Sequence, residues 1–477
     1  MKPRVLLVNP PAIQGNFVRE GRCMNRQSAW GSIWPPLTLM YISAVLRKAG
    51  YRTMIADSNV GSPESFWRRI GEFRPELSII STSTPTIDSD VGFAGTLKRK
   101  FSSKTALVGT HPTATWRELL CRPSVDFVVR GEPEQTCLEL ASFLGKRGKG
   151  SPGKIRGLAW KAGRHGRPVS NLARKFLSNL DRLPFPDRDS IDNTAYRMPL
   201  SGRSFSLLST SRGCPYCCTF CVASIFYGKS FRKRSAGSIA DEIEICKRKY
   251  GIENFLFWAD EFTFDRRQVR EICREIKSRK LKISWFANSR VDSGDYALFR
   301  EMRESGCFLV SFGIESASQK ILDNARKGAT VERALSAVRD AKRAGLEVIG
   351  HFIFGLPGET KETLRATTDL AKRSGVDYAQ FYAATPYPGT VFYERCRKGN
   401  LIAADADFSE MEISRAAIRQ GELSADELSE ARRRAYAEFY LRPSYFIPRI
   451  LSVLFRNGPK GLLDSFDYLS DWGGLAK

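Results

Sequence analysis

Two series of short apolar segments, each alternating with amphipathic segments, restrict the fold of this 477-residue chain more than any other feature. In the first series these segments are apolar on both faces, which is typical of parallel strands covered by helices on both sides. The segments between them have helical spacing, as in Leu37–Lys48 and Gln135–Leu144, and both of these end close to a glycine. The predicted strands are Arg4–Asn9, Tyr51–Asp57, Leu77–Ser83, Thr105–Gly109 and Val125–Val129. Five such units predict a doubly wound, Rossmann-like sheet of the flavodoxin type over residues 1–145.

The second series, over residues 196–395, has six units of the same kind. Its predicted strands are Phe205–Ser209, Phe255–Trp258, Ile283–Asn288, Phe308–Gly313, Val348–Phe354 and Tyr378–Ala383. Six units predict a partial (β/α)6 barrel, in which the chemistry takes place at the carboxyl ends of the strands.

The remaining two regions have less regular patterns. Residues 146–195 are rich in Gly, Pro, Lys and Arg, which predicts a basic linker with a small hairpin around Gly157–Trp160. Residues 396–477 are predicted to be mostly helical, with Ser424 opening a helix that runs to about Leu441.

Four cysteines lie within eight residues, directly after the first strand of the second series: Cys214, Cys217, Cys218 and Cys221. In a long chain without a recognisable secretion signal, such a group is more typical of a metal site than of disulfides. Cys214, Cys218 and Cys221 have the spacing C-x3-C-x2-C, and three thiolates on one loop can bind three irons of a [4Fe–4S] cluster. The fourth iron would then stay open to a ligand, which catalysis requires.

Zinc is the alternative occupant of this loop. Zinc usually takes two separated ligand pairs, and the sequence has no second Cys/His pair nearby. We interpret Cys217 as a bystander, because using it would break the spacing of the other three.

The chain resembles the radical S-adenosylmethionine (SAM) superfamily, both in these cysteines and in the segments that follow successive strands of the second series. Those segments are Trp258–Thr263, Ser289–Asp292, Phe312–Ser316, Phe354–Thr360 and Thr385–Thr390. The SAM-binding positions that the resemblance implies are Phe220, Asp260, Glu261, Arg290, Glu315, Gly355 and Pro386.

The resemblance also implies individual roles. Phe220 would lie near the adenine, Arg290 would pair with the methionine carboxylate, and Glu315 would bind the ribose. A plain ion pair for Arg290 and a structural role for Glu315 are the alternatives. The implied chemistry is reductive cleavage of SAM to a 5′-deoxyadenosyl radical, which needs an electron donor such as flavodoxin or ferredoxin.

The first domain narrows the resemblance to cobalamin-binding radical SAM proteins, in the branch similar to the magnesium-protoporphyrin ester cyclase. The similarity covers residues 1 to about 455 and includes Val129–Glu132 and Leu183–Pro186. The Asp-x-His-x-x-Gly motif that would supply a cobalt ligand is absent, since the sequence has only three histidines and none has that context. Gly109 and His111, at a strand end, are the candidate neighbours of the corrin, although His111 is equally suited to cap its loop.

The resemblance implies methyl transfer to an unactivated carbon of a lipid or natural-product-like substrate. Radical cyclisation or oxidation without methyl transfer is the alternative. A more distant alternative is a basic nucleic-acid-binding protein with a structural metal, for which no binding motif is present; we therefore expect no nucleic-acid partner.

Charge and hydropathy bear on location. The net charge of +24 favours anionic partners or reflects a solvated basic surface. No apolar run approaches the ~20 residues of a membrane span, and the first strand is too short for a signal peptide, so we expect a cytoplasmic protein. Phe439–Leu463 mixes aromatic, aliphatic and basic residues, which fits either a peripheral membrane contact or packing on the barrel.

Overall fold

The structure is a computed structural model that describes residues 2–12, 15–20, 25–26, 32–146, 151–163, 166–198, 201–402 and 407–448. The strands of the first part are β1 (Val5–Asn9), β2 (Phe17–Val18), β3 (Asn25–Arg26), β4 (Thr53–Asp57), β5 (Leu77–Ser81), β6 (Lys104–Val108), β7 (Phe127–Val129), β8 (Leu158–Ala162) and β9 (Arg167–Ser170). Its helices are α1 (Leu37–Lys48), α2 (Pro63–Phe73), α3 (Ile87–Phe101), α4 (Thr110–Leu120) and α5 (Glu134–Gly145).

The first sheet confirms the predicted flavodoxin-type order. Its strands lie in the order β4-β1-β5-β6-β7-β8-β9, and the first five are parallel. The order in which strands are added to the sheet reverses between β1 and β5. Ligands of such sheets bind at that point, beyond the carboxyl ends of the strands. Buried aliphatic side chains on both faces of these strands form two cores, one against each helix layer.

The region predicted to be a basic linker contributes to this sheet. Strands β8 and β9 form a hairpin, and β8 pairs antiparallel with β7, so the two strands extend the first sheet. The predicted hairpin therefore exists, but it is longer than expected and belongs to the sheet. Its sequence hides this because Leu158 and Ala159 are the only buried residues of these two strands.

The second part contains the six-unit series and the C-terminal helices. Its strands are β10 (Phe205–Ser209), β11 (Ser211–Arg212), β12 (Arg232–Lys233), β13 (Asn254–Trp258), β14 (Ser284–Arg290), β15 (Cys307–Glu315), β16 (Glu347–Phe354) and β17 (Tyr378–Ala383). Its helices are α6 (Ala223–Phe226), α7 (Ala236–Tyr250), α8 (Arg266–Ser278), α9 (Tyr296–Glu304), α10 (Gln319–Asn324), α11 (Val331–Arg343), α12 (Lys361–Arg373), α13 (Val391–Lys398) and α14 (Ala425–Tyr440).

The second sheet confirms the predicted partial barrel. Its six strands are parallel and lie in chain order from β10 to β17, with these two strands at the edges. Parallel order places all six carboxyl ends on one side, where the sequence motifs also lie. None of the helices in the described part of the chain combines the length and apolar character needed to cross a bilayer.

Helix α14 covers the free edge of β17 with side-chain hydrogen bonds. Tyr440 donates its hydroxyl to the Ala379 carbonyl at 2.8 Å, and Arg432 donates from Nε to the Phe381 carbonyl at 2.8 Å. The Phe381 N–H donates to the Tyr436 hydroxyl at 3.2 Å. These bonds satisfy groups that an exposed edge strand would offer to another chain.

Buried ion pairs join the two parts next to the cysteine loop. Arg212 donates to Glu134 at 2.6 Å and lies 3.4 Å from Glu132, and Arg232 donates to the same Glu132 at 2.5 Å. All four side chains are buried. Breaking a buried pair costs about 3–5 kcal/mol, so the first sheet holds the start of the cysteine loop firmly in place.

Candidate active site

The cysteine loop follows β10 and is anchored at both ends. Gly213 has φ +86°, and a Cβ there would lie 2.2 Å from the Ser230 carbonyl oxygen, so only glycine fits. Its N–H donates to Asp260 Oδ2 at 2.9 Å. At the other end the Thr219 N–H donates to the Ala325 carbonyl at 2.9 Å. The loop conformation is therefore set by its surroundings.

The four cysteines differ in exposure. Cys217 is exposed, Cys214 is buried, and Cys218 and Cys221 are half-buried. Among the described residues, no three His, Cys, Asp or Glu side chains converge on one ion. The three thiol donors suit a [4Fe–4S] cluster because each cysteine binds a different iron.

A large cavity lies beside this loop, at the carboxyl ends of the barrel strands. Five predicted SAM-binding residues line it together with Cys221: Phe220, Asp260, Glu261, Arg290 and Glu315. Gly355 and Pro386 are not among its lining residues; Ala384 and Thr385 stand there instead. Most of the opposite wall is apolar, with Leu256, Phe286 and Ile353 among its side chains.

Two ion pairs stand next to Cys218. Arg290 binds Asp292 through two bonds, of 2.9 and 2.8 Å, and its Nη1 lies 3.9 Å from the Cys218 sulfur. Lys327 donates to Glu315 at 2.6 Å, and both side chains are buried. The ion-pair alternative for Arg290 is thus present in the structure, and a SAM carboxylate would have to share this guanidinium with Asp292.

The two acids after β13 have different surroundings. Asp260 accepts from the loop at Gly213, so it positions the cysteines as well as lining the cavity. Glu261 accepts from the hydroxyls of Thr263 and Ser293, at 2.8 and 2.7 Å, in a buried network. Both acids therefore act at least partly as internal supports of the cavity wall.

Gly355 belongs to a tight turn after β16. Its N–H donates to Glu359 Oε2 at 3.1 Å, and Thr363 donates its hydroxyl to the other carboxyl oxygen. Burial raises the pKa of Glu359 to about 7, although these two bonds oppose the rise. These two bonds fix the conformation of the turn that carries Gly355.

We expect Glu359→Gln to change how stability depends on pH. The pKa of Glu359 is raised on folding, so its folded form binds more protons and loses stability as pH rises from about 4.5 to 7. The glutamine variant lacks this loss. From pH 5 to pH 8, its free energy of unfolding should therefore rise by about 1–3 kcal/mol relative to that of the wild type. Urea unfolding at both pH values measures the difference. Exposed Glu72→Gln is the control, and an equal pH response in the two variants would contradict the assignment.

A second cavity lies between the strand ends of the first sheet and the barrel. Thr82, Gly109 and Thr110 line one side, and Val222 and Tyr227 line the other. It adjoins the first cavity, because Glu20, Val222, Trp258 and Asp260 line both.

Among the described residues, two buried polar atoms of side chains that line this second cavity have no hydrogen-bond partner. One is Nη1 of Arg19, whose Nη2 donates to Asp90 at 2.8 Å; the other is Oγ1 of Thr82. Unsatisfied buried groups are costly unless a ligand meets them. Cobalamin carries amide side chains that suit both atoms, so the residues present fit this group.

Gly109 and His111 have different positions around this cavity. Gly109 has φ +140°, and a Cβ there would lie 2.3 Å from the Thr82 carbonyl oxygen. His111 is not among the lining residues. Its imidazole is 3.1 Å from the Thr84 hydroxyl and packs edge-on against Phe408, and burial lowers its pKa to about 3. His111 is therefore buried against Thr84 and Phe408, in an arrangement that fits the loop-capping alternative.

Several residues that line the first cavity were not predicted from the sequence. Lys327 and Glu20 reach the cavity from segments without a motif. His351 and Tyr382 lie on adjacent strands, and their side chains meet at 2.9 Å in the cavity wall. Only the alternation along β16 and β17, which places residues of one face two apart, offered a signal for the last two.

Sequence comparisons match both halves of the chain. The sequence model of the radical SAM superfamily matches residues 208–371, and that of the B12 binding domain matches residues 28–141. An uncharacterized methyltransferase of Pyrococcus horikoshii is 34% identical over 447 residues, which are 91% of this chain and 94% of the relative.

Two further relatives have different named activities. A cytidylyl-2-hydroxyethylphosphonate methyltransferase of Streptomyces wedmorensis is 28% identical over 85% of this chain and 86% of its own. An anaerobic magnesium-protoporphyrin IX monomethyl ester cyclase of Cereibacter sphaeroides is 28% identical over 87% of this chain and 68% of its own.

Solved structures share the fold. The methyltransferase TsrM of Kitasatospora setae, with cobalamin and a [4Fe–4S] cluster bound, has a TM-score of 0.69 at 18% identity, over 94% of this chain and 90% of that one. The enzyme OxsB, with aqua-cobalamin and SAM bound, has a TM-score of 0.76 at 18% identity, over 98% of this chain and 70% of that one.

Proposed function

This chain belongs to the radical SAM superfamily, in the branch with an N-terminal B12-binding domain, and from that premise we propose that it is a methyltransferase acting on an unactivated carbon. Its cofactors are a [4Fe–4S] cluster, SAM and cobalamin. The observation that supports methyl transfer is the contact between the two cavities. Glu20, Val222, Trp258 and Asp260 line both, so a substrate in the first cavity would lie next to the cofactor in the second.

When bound, the cluster and SAM supply a 5′-deoxyadenosyl radical, and cobalamin supplies the methyl group. Cys214, Cys218 and Cys221 would hold the cluster, and Asp260 fixes their loop through Gly213.

The cavity lining supports several of the predicted SAM-binding positions. Phe220, Glu261, Arg290 and Glu315 would bind SAM there, while Gly355 and Pro386 would support the wall from outside the lining. Arg290 and Lys327 lie beside Cys218, and each is paired with a carboxylate, Asp292 and Glu315 respectively. Their remaining N–H donors suit the carboxylate of SAM next to the cluster.

The proposed substrate is a small molecule that is mainly apolar, such as a lipid or natural product. Leu256, Phe286 and Ile353 form an apolar wall that excludes water from a reactive radical. His351 and Tyr382 provide a polar point within that wall, suited to one hydroxyl or carbonyl group of the substrate.

Deuterium labelling tests methyl transfer directly. The reconstituted holoenzyme is incubated anaerobically with SAM carrying a CD3 group, dithionite and a lipid and metabolite extract. We expect a product that gains three deuterium atoms, and no such product with Cys218→Ala. Formation of 5′-deoxyadenosine with an unlabelled, cyclised or oxidised product would favour the alternative reaction.

We propose flavodoxin or ferredoxin as the electron donor, since the chemistry requires a one-electron reductant.

Peripheral membrane contact is a separate proposal. Phe439 and Tyr440 are buried, and Tyr445 donates its hydroxyl to the Asp377 carbonyl at 2.9 Å, which supports packing for this part of the segment. Residues 449–463 lie outside the described residues. Only Leu441 and Ile447 offer large exposed apolar side chains here within the described part, and flotation with anionic liposomes tests whether they bind a bilayer.

A further inference from the structure

A group of aromatic side chains lies on the outer side of the cysteine loop. Phe264, which follows β13, is 40% exposed. Its ring packs edge-on against Tyr216, with 6.1 Å between centroids, and lies tilted against Phe231, with 4.8 Å between centroids. Cys217, beside Tyr216, is also exposed. We call Tyr216, Cys217, Phe231 and Phe264 the loop patch.

The loop patch connects to a cluster ligand through direct contacts. The Tyr216 ring lies 3.7 Å from the Arg290 guanidinium carbon, and Arg290 Nη1 lies 3.9 Å from the Cys218 sulfur. A short series of contacts thus leads from exposed Phe264 to a cysteine that would bind iron. The cavity, by contrast, meets the loop at Phe220 and Cys221, on its inner side.

Charged side chains surround the loop patch. Lys233 pairs with Asp265, Arg266 pairs with Asp295, and Arg267 pairs with Glu271. These pairs are neutral overall. Lys229 is exposed and adds a positive charge, and the chain as a whole carries +24. An acidic protein would therefore be steered toward this molecule.

We propose that the loop patch is the docking surface for the electron donor, an acidic one-electron carrier protein. The donor loses one electron and the cluster gains it, so no bond forms or breaks. Small apolar contacts with a charged rim suit the brief encounters of redox partners, which bury little area. The inference rests on the proposed function only in requiring the reducible cluster.

The test compares reduction by a protein with reduction by a small molecule. Reconstituted holoenzyme is mixed in stopped flow with flavodoxin hydroquinone or with dithionite, and bleaching of the cluster absorbance gives the rate. Binding of oxidised flavodoxin at low and high salt is measured separately by calorimetry, which does not depend on activity. The variants are Phe264→Ala and Lys229→Glu. The controls are exposed Leu441→Ala and Lys48→Glu, the latter at the end of α1 that leads into β4, opposite the strand carboxyl ends.

We expect both patch variants to weaken flavodoxin binding and slow its reduction of the cluster by about tenfold, with the dithionite rate and both controls unchanged. Unchanged flavodoxin rates in the patch variants would overturn the proposal. Equal slowing by dithionite would also overturn it, because Phe264 would then act on the cluster itself. Absence of methyl transfer would leave this result standing, whereas a cluster that dithionite cannot reduce would contradict the radical SAM chemistry.

Discussion

Cys218→Ala is expected to abolish formation of 5′-deoxyadenosine from SAM, whereas Cys217→Ala should retain it. Cys218 is half-buried, with its sulfur 3.9 Å from Arg290 Nη1, while Cys217 is exposed. A cluster held by three thiolates loses an iron ligand in the first variant and none in the second. The measurements are bound iron and sulfide, the electron paramagnetic resonance signal of the reduced cluster, and 5′-deoxyadenosine by chromatography.

These two variants control for each other because the residues are neighbours in one loop. Any general effect of altering the loop should appear in both. If Cys217→Ala lost the cluster and Cys218→Ala kept it, the ligand spacing would be wrong. If both variants kept the cluster and its activity, the site itself would be misassigned.

The eleven parallel strands of the two sheets could be predicted from the sequence to within two residues at each end. Phe205–Ser209 and Tyr378–Ala383 begin and end as predicted. Parallel strands buried on both faces produce continuous apolar runs, which the sequence shows directly. Strands β8 and β9 are only partly buried and lie in a region rich in Gly, Pro, Lys and Arg, so the pattern predicted a linker.

The site residues that belong to local sequence motifs were predictable. Residues whose role depends on a partner distant in sequence were less so. The cysteine spacing and the strand-end motifs placed Phe220, Asp260 and Glu315 at one cavity. By contrast, Glu132, in the segment that follows β7, pairs with Arg212 and Arg232 from the other part of the chain. Such partners lie 80 and 100 residues away, and no local pattern indicates them.

Gly109→Ala is expected to abolish retention of cobalamin while leaving the cluster intact. At φ +140°, a side chain is strained, and the added Cβ would lie 2.3 Å from the Thr82 carbonyl oxygen. Strain of about 1–3 kcal/mol must be relieved by moving the loop, and that loop carries Thr82 and Thr110 into the second cavity. A free-energy cost of this size corresponds to a loss of about tenfold or more in the affinity for cobalamin. Corrin absorbance after gel filtration measures retention, and the resonance signal of the cluster shows that the barrel is still folded.

Gly92→Ala is the matched control, because Gly92 lies within α3 and a Cβ there meets nothing within 4 Å. Alanine in a helix is favoured over glycine by about 1 kcal/mol, so this variant should bind cobalamin as wild type and be slightly more stable. Arg19→Lys supplies an independent measurement, since it removes Nη1, which has no partner among the described residues, and keeps a positive charge for the buried Asp90. We expect it to weaken cobalamin binding by about tenfold. Wild-type retention in both Gly109→Ala and Arg19→Lys would place the corrin elsewhere, and the contact between the two cavities would no longer support methyl transfer.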